Sequence, residues 1–130
     1  MSGRIKTKRF NETVEGDDGY RLLVTRYRPR YVRKTEEPWD EWRKDLGPSR
    51  ELLASFQGKN GPAISWPEYR ERYLLEMEEQ ASAVRQLAEL VRSGETLTVL
   101  CSSACKDPET CHRTVLRDLI LAEVERSEVG

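Results

Sequence analysis

The last third of the chain changes from a short apolar run to a helical pattern of apolar positions. Residues 96–101, TLTVLC, are β-branched and apolar and follow Gly94, so they predict a short buried strand. From His112 onward, apolar side chains recur at helical spacing and predict an amphipathic helix: Val115, Leu116, Leu119, Ile120 and Ala122. A polar loop of about ten residues, SSACKDPETC, joins the two elements. Ligands of α/β proteins bind where such a loop meets a helix start, because free amides and the helix dipole attract anions there.

Two further strands are predicted near the beginning of the chain. Residues 4–10, RIKTKRF, alternate well enough for a strand, and their lysines favour a place at a sheet edge. Residues 20–27, YRLLVTRY, form the better strand, with a buried middle of Leu22, Leu23 and Val24. Pro29 ends this strand, because proline cannot continue a central ladder.

The middle of the chain predicts helices. A short helix is expected over residues 35–46, where Trp39, Trp42 and Leu46 share one face and Pro38 fits the first turn. A second short helix begins after the candidate cap Ser49 and ends near Gly58. The capping pattern SWPE, residues 65–68, opens a longer helix that restarts or kinks near residue 82 and ends before residue 94.

Together these elements predict one compact α/β domain over residues 1–130, with a small central mixed or mostly parallel sheet covered by helices. The strands at 20–27 and 96–101 should be adjacent and parallel, since the helical segment between them is long enough for a crossover. The first strand should lie at or near an edge. The termini, residues 1–3 and 127–130, are expected to be flexible.

Composition and charge indicate which kinds of partner and which cellular compartment to expect. The 130 residues carry a formal net charge of -1, so no global positive field indicates a nucleic-acid binder. Residues 19–34, however, contain six basic side chains and no acidic one. No apolar run approaches the roughly 20 residues of a membrane span, and no signal-peptide segment begins the chain. Three cysteines without an export signal indicate reduced thiols and a cytoplasmic location.

The triplet Cys111-His112-Arg113 at the predicted helix start is the main candidate for chemistry. The helix dipole and neighbouring cations acidify a thiol in this position, and arginine offers a fork suited to phosphate or carboxylate. Cys111 and His112 are therefore candidate catalytic residues, and Arg113 is a candidate anion-binding residue. The alternative is a structural cap, in which these side chains make ordinary loop hydrogen bonds.

The cysteines could also form a metal site or a disulfide. Cys101, Cys105, Cys111 and His112 include the ligand types of a Cys3His zinc site, but no Cys-x2-Cys knuckle is present and adjacent residues do not easily face one ion. We therefore expect no metal. A disulfide between Cys105 and Cys111 is sterically conceivable, although a reducing compartment argues against it as a permanent link. No glycine-rich phosphate loop is present, and no cofactor is expected.

Further candidate anion-binding residues come from the basic strand end and from the predicted pocket. Arg26, Arg28 and Arg30 alternate and would point to one side if strand geometry persists; a solvated edge is the alternative. Tyr73 could contribute to a pocket, although aromatic residues at helical spacing more often form a buried face. The remaining candidates lie at the end of the predicted buried strand: Cys101 and Ser102.

Several short motifs in order resemble the YeaO-like family of domains of unknown function 488, from about residue 5 to residue 121. They are Ile5–Phe10, DGYR followed by LLVTRYRPR, DEW through LGPS, WPEYRERY, and KDPE before Cys-His-Arg. The resemblance implies a small cytoplasmic α/β protein without an established activity, whose hallmark is the Cys-His-Arg triplet. This chain has Arg28 and Tyr31 where the family usually has tryptophan and glycine, and Cys105 is not part of the family pattern.

Two hypotheses for function follow. The first is an enzyme in which Cys111 or His112 acts on a small phosphorylated or otherwise anionic substrate held by Arg113 and Arg26. The second is a module that binds a nucleotide, or the base and phosphate of a nucleic acid, without turnover. An acidified, readily alkylated thiol would favour the first hypothesis, and an inert thiol would favour the second.

Overall fold

The computed structural model describes residues 3–129, with side chains through residue 126. One sheet has the strand order β1-β4-β2-β3, with all its described pairs parallel, where the strands are β1 (Ile5–Arg9), β2 (Tyr20–Leu23), β3 (Glu41–Trp42) and β4 (Leu97–Cys101). The helices are α1 (Arg50–Phe56), α2 (Trp66–Glu78), α3 (Ala81–Arg92) and α4 (His112–Val129). The predicted α/β class is confirmed. In the described part of the chain, none of the helices has the length and apolar character needed to cross a membrane.

The two strands expected to be neighbours are paired in parallel. In this pairing Leu22 is in register with Val99, and Leu23 with Leu100. Strand β1 pairs with the other side of β4 and lies at the edge, as its lysines suggested. Because all strands are parallel, the carboxyl ends of β2 and β4 lie at the same end of the sheet. Helix α4 begins at this end.

The two faces of the sheet are covered differently. On one face, alternate residues of β2 and β4, including Leu22 and Val99, belong to the main core with helices α1 to α4. On the other face, Leu23 and Leu100 pack with Trp39 in a smaller cluster that also includes the partly buried Phe10, Val32 and Trp42. Helices thus cover the first face, whereas side chains from loops and from β3 cover the second.

The helix predicted over residues 35–46 is wrong. Two short 3-10 turns, Lys34–Glu36 and Lys44–Leu46, flank strand β3 instead. The backbone amide of Asp40 donates to the carbonyl of Arg21 at 2.8 Å, and that of Arg43 donates to Leu23 at 2.8 Å. These bonds to β2 replace those of a helix. The apolar spacing was misleading because Trp39 packs in the smaller cluster whereas Leu46 packs in the main core.

Strand β2 is shorter than the predicted 20–27 segment. Its ladder ends at Leu23, and the Val24 amide adds one more bond, to the carbonyl of Leu100 at 3.0 Å. The hydroxyl of Thr25 then donates to the carbonyl of Tyr27 at 2.7 Å and turns the chain. Strand alternation therefore does not continue through the arginines that follow.

The predicted helix boundaries in the middle of the chain are largely confirmed. The hydroxyl of Ser49 accepts from the amide of Leu52 at 3.1 Å at the start of α1, and that of Ser65 accepts from Glu68 at 3.3 Å at the start of α2. The restart expected near residue 82 is the break between α2 and α3. The flexibility predicted for residues 1–3 and 127–130 falls mostly outside the described side chains; Gly3, which is described, donates its amide to the carbonyl of Val91 at 2.6 Å.

A buried carboxylate fixes the turn before β2 to the sheet. Asp18 is 1% exposed and accepts from Lys6 at 2.6 Å, from Lys8 and from Arg21. Its own carbonyl accepts from the hydroxyl of Thr98 at 2.6 Å. Burial alone would raise the pKa of Asp18, but these hydrogen bonds and the positive charges lower it well below its usual range.

Candidate functional site

A cavity of about 390 Å³ lies at the edge of the sheet where β2 and β4 end. Its wall is formed by residues that follow β2, by α1 and residues on either side of it, by one side chain of α2 and by the β4–α4 connection. The lining residues are Thr25, Arg26, Tyr27, Pro48, Leu53, Phe56, Gln57, Tyr69, Cys101, Ser102, Ala104, Cys105, Thr110, Cys111 and His112. The strand–loop–helix pattern of the sequence therefore leads to a real concavity, with all three cysteines of the chain in its wall.

The three thiols converge although they come from different elements. Cys101 ends β4, Cys105 lies in the loop that follows, and Cys111 immediately precedes α4. Their sulfur atoms all lie within 4.8 Å of one another, and the sulfurs of Cys105 and Cys111 are 2.7 Å apart. All three are free thiols. Cys101 and Cys111 are each 1% exposed, whereas Cys105 is half-buried at the open side of the cluster.

The three thiols of the cluster differ in pKa. Hydrogen bonds with Cys101 and Cys111 lower the pKa of Cys105 to about 3, with further help from His112 and Arg113. The hydrogen bond to Cys105 raises the pKa of Cys101 to about 12. Hydrogen bonds to both neighbours, together with burial, raise the pKa of Cys111 well above its usual range. The prediction of a lowered pKa for Cys111 is therefore wrong. The pKa is raised at Cys111 and lowered at Cys105.

His112 forms part of the cavity floor and is fixed by three neighbours. Its Nε2 donates to the carbonyl of Val24 at 2.7 Å, and its ring lies 5.4 Å from the ring of Tyr73. The sulfur of Cys101 is 3.9 Å from both ring nitrogens. Burial by itself would lower the pKa of His112, but hydrogen bonds to Cys111 and Val24 and the nearby thiolate raise it. The neighbours of His112 therefore favour the charged form of the ring by more than burial disfavours it.

Arg113 is 4% exposed and follows His112 in the first turn of α4. Within the described part of the chain, its Nε and Nη1 atoms are buried without a hydrogen-bond partner. It is not among the residues that line the cavity, so it acts from behind the wall. An unpaired buried guanidinium is costly, but it contributes positive potential that favours a thiolate at Cys105.

The three arginines of the basic segment, which were candidate anion-binding residues, do not lie together in the cavity. Arg26 lines the cavity, and its Nε donates to the carbonyl of Pro48 at 2.8 Å. Arg28 forms a salt bridge with Glu37 at 2.7 Å and lies over the ring of Trp39. Arg30 is exposed. Neither Arg28 nor Arg30 is among the lining residues in the described structure, because β2 ends before the arginine run begins.

Tyr73 lies behind the cavity wall rather than in it. It is fully buried, its hydroxyl donates to the carbonyl of Leu46 at 2.7 Å, and its ring supports His112. Ser102 lines the cavity, as predicted for the end of β4. Sequence reasoning missed Phe56 in the aromatic wall of the cavity, where its ring centroid lies 4.3 Å from that of Tyr69. It also set Cys105 aside, although three cysteines within eleven positions could have indicated a thiol cluster.

The three cysteine sulfurs are also possible ligands of a metal ion. Sulfur atoms on a tetrahedral zinc ion are about 3.8 Å apart, given zinc–sulfur bonds of about 2.3 Å. At 2.7 Å, the sulfur atoms of Cys105 and Cys111 are about 1 Å closer to each other than two sulfur ligands of one zinc ion. A second group of possible ligands, Glu15, Asp17 and Asp18, is already bound by lysines. In the described structure, the three cysteine sulfurs are thus the group of possible metal ligands that no lysine binds.

Comparisons with known proteins give the same family indication along the chain. The family described as "Active DUF488-N3 subclade" matches residues 5–124. The uncharacterized protein YeaO of Escherichia coli (strain K12) is 36% identical over 114 residues, which cover 88% of this chain and 94% of that protein. The uncharacterized protein Rv3073c of Mycobacterium tuberculosis (strain ATCC 25618 / H37Rv) is 30% identical over 117 residues, 90% of this chain and 93% of that protein. No solved structure matches significantly.

Proposed function

The chain belongs to the DUF488-N3 family, and from this premise we propose that it is a thiol-dependent enzyme acting on a small phosphorylated or otherwise anionic substrate. One observation carries the proposal: three thiols and a buried histidine converge in the wall of a cavity large enough for a small molecule. The family description, with its word "Active", agrees with catalysis. Three unbridged thiols also suit a reducing compartment such as the cytoplasm.

The residues divide the chemistry between them. Cys105 carries the thiolate and attacks an electrophilic atom of the substrate. As the bond between that atom and the leaving group breaks, the buried imidazole of His112, whose pKa is raised, supplies the proton that the leaving group needs. Arg26, in the cavity wall, binds the anionic group, and the free amides at the start of α4 add positive potential.

A matched pair of alkylating reagents tests both halves of the proposal. Iodoacetate and iodoacetamide have nearly the same size and differ in charge, so the ratio of their rates reports anion recognition next to the thiolate. We expect the ratio at Cys105 to exceed that of a free thiol. Arg26→Ala should lower the iodoacetate rate by about 10- to 150-fold, the range for a charged hydrogen bond, with little change for iodoacetamide.

Arg30→Ala is the matched control, because Arg30 belongs to the same basic segment but is exposed outside the cavity. It should leave both rates unchanged. If Arg26→Ala and Arg30→Ala have equal effects, the recognition is long-range and the cavity is not the anion site. If Cys105 reacts no faster than a free thiol with either reagent, the enzyme loses its nucleophile.

A nucleotide-binding module is the second candidate, favoured by the aromatic wall. Phe56 and Tyr69 line the cavity and are tilted by 33° relative to each other, so one of them could offer a face to a base. The base and phosphate of a nucleic acid would use the same wall. If the protein is a nucleotide-binding module, AMP binds more tightly than inorganic phosphate. A variant with all three cysteines changed to serine then binds AMP with unchanged affinity. Isothermal titration of both proteins with both ligands decides between the readings.

A further inference from the structure

Cys105 and Cys111 are placed for bond formation with each other. Their sulfur atoms are 2.7 Å apart, and a disulfide bond of about 2.0 Å requires them to approach by only about 0.7 Å. Cys111 is held at the start of α4, while Cys105 lies in the loop between β4 and the 3-10 turn Pro108–Thr110. Cys105 is also the most accessible of the three thiols, being half-buried at the cavity.

We propose that Cys105 and Cys111 are a redox-modification site, which a hydroperoxide converts into a disulfide and a dithiol reductant restores. Nothing in the family pattern assigns Cys105 a role, and the pairing gives it one. The proposal rests on the proposed function in one respect only, since the disulfide would consume the nucleophile of the enzyme. Bond formation itself requires no substrate.

The chemistry balances with a hydroperoxide as the oxidant. The sulfur of Cys105 attacks one oxygen of the peroxide, the O–O bond breaks, and Cys105 becomes a sulfenic acid while the other oxygen leaves and takes a proton from the pocket. The thiol of Cys111 then attacks the sulfur of Cys105, a disulfide forms and water leaves. With hydrogen peroxide, two thiols are oxidised by two electrons and two molecules of water are produced. A dithiol reductant reverses the change by two thiol–disulfide exchanges.

The surroundings favour this pair over the alternatives. The low pKa of Cys105 supplies a thiolate at neutral pH, and the neighbouring thiol can trap the sulfenic acid before further oxidation. Cys101 is also within 4.8 Å, but it is 1% exposed at the end of β4 and is held in the sheet. Oxidation would therefore remove the thiolate from the cavity and leave Arg26 and the aromatic wall in place.

Peptide mapping can test the pairing because of where trypsin cuts. Lys106 separates Cys105 from Cys111, so cleavage leaves Cys101 and Cys105 in one peptide, residues 93–106, and Cys111 in another, residues 107–113. The reduced full-length protein is treated with one equivalent of hydrogen peroxide, capped with iodoacetamide, digested and analysed by mass spectrometry. We expect the two peptides to be linked, and dithiothreitol to separate them again.

Serine variants identify the partner of Cys111. Cys101→Ser should retain the linked peptides, and Cys105→Ser should lose them; Cys105 is half-buried, so its replacement leaves the core intact. Linkage that persists in Cys105→Ser, a bond inside the 93–106 peptide, or sulfinic acid without any linkage would each overturn the pairing. The iodoacetate to iodoacetamide ratio of the reduced protein is read separately, so failure of the redox site and failure of the proposed enzyme give different results.

Discussion

Alkylation of Cys105 should not depend on pH over a range in which an ordinary thiol becomes unreactive. A free cysteine has a pKa of about 8.5, so its thiolate fraction falls from about 3% at pH 7 to about 0.03% at pH 5, and its rate falls about 100-fold. Hydrogen bonds from Cys101 and Cys111 lower the pKa of Cys105 to about 3, so its thiolate persists at pH 5. The rate at Cys105 relative to a free thiol should therefore rise about 100-fold between pH 7 and pH 5.

The assay uses free cysteine in the same tube as an internal standard. Iodoacetamide is added with no thiol present other than the protein and this standard, samples are quenched at intervals, and modification of Cys105 and of Cys111 is quantified in their separate tryptic peptides. Cys111 should react far more slowly, because burial and its hydrogen bonds raise its pKa. If the rate at Cys105 falls in parallel with free cysteine, the thiol cluster does not hold a thiolate and the reasoning is refuted. Faster modification of Cys111 would instead restore the acidified thiol that the helix start suggests.

Three further predictions concern side chains around the site and in the sheet. Arg113→Met should raise the pKa seen in the Cys105 alkylation profile without lowering the melting temperature, because the guanidinium is buried with unpaired nitrogens; a lower melting temperature with an unchanged profile would make Arg113 purely structural. Tyr73→Phe should cost about 1 kcal/mol in denaturant unfolding, from the lost bond to Leu46, and leave the iodoacetate preference unchanged; loss of that preference would place Tyr73 in the anion site. Asp18→Asn should destabilise the fold by about 3 kcal/mol at neutral pH. Since the pKa of Asp18 is lowered on folding, its contribution is present above its unfolded value of about 3.9 and lost as pH falls below that, so the difference in unfolding free energy should shrink in acid; a constant difference would contradict the ion-pair account.

The sequence predicts the sheet well where burial follows a simple period. Strand β4 is buried at every position, and α4 buries Val115, Leu116 and Ile120 against the same core, so both were visible as local patterns. The parallel pairing of β2 with β4 followed from the long crossover between them. These features depend on neighbours in sequence or on chain connectivity, which a single chain discloses.

The segment 35–46 could not be predicted in this way. Its apolar residues have helical spacing, but Trp39 and Leu46 pack in different clusters on opposite faces of the sheet. Backbone bonds from Asp40 and Arg43 to β2 decide its conformation, and those partners lie about twenty residues away in the chain. A spacing pattern assumes one buried face, so it fails where a segment crosses the edge of a sheet and contacts both faces.

The strand–loop–helix pattern of the sequence indicates where the cavity lies, but the cysteine with the lowered pKa is not the one expected from the sequence. A helix start acidifies a nearby thiol, and Cys111 is the cysteine closest to that start in sequence. In the folded chain, hydrogen bonds with the other two cysteines lower the pKa of the thiol at the least buried position. That position is Cys105, because Cys101 and Cys111 are almost fully buried and Cys105 is not. The positive charges of His112 and Arg113, at the start of α4, still lower the pKa of Cys105. A predicted helix start therefore indicates which group of thiols is acidified. Which thiol of the group has the lowered pKa depends on the path of the loop.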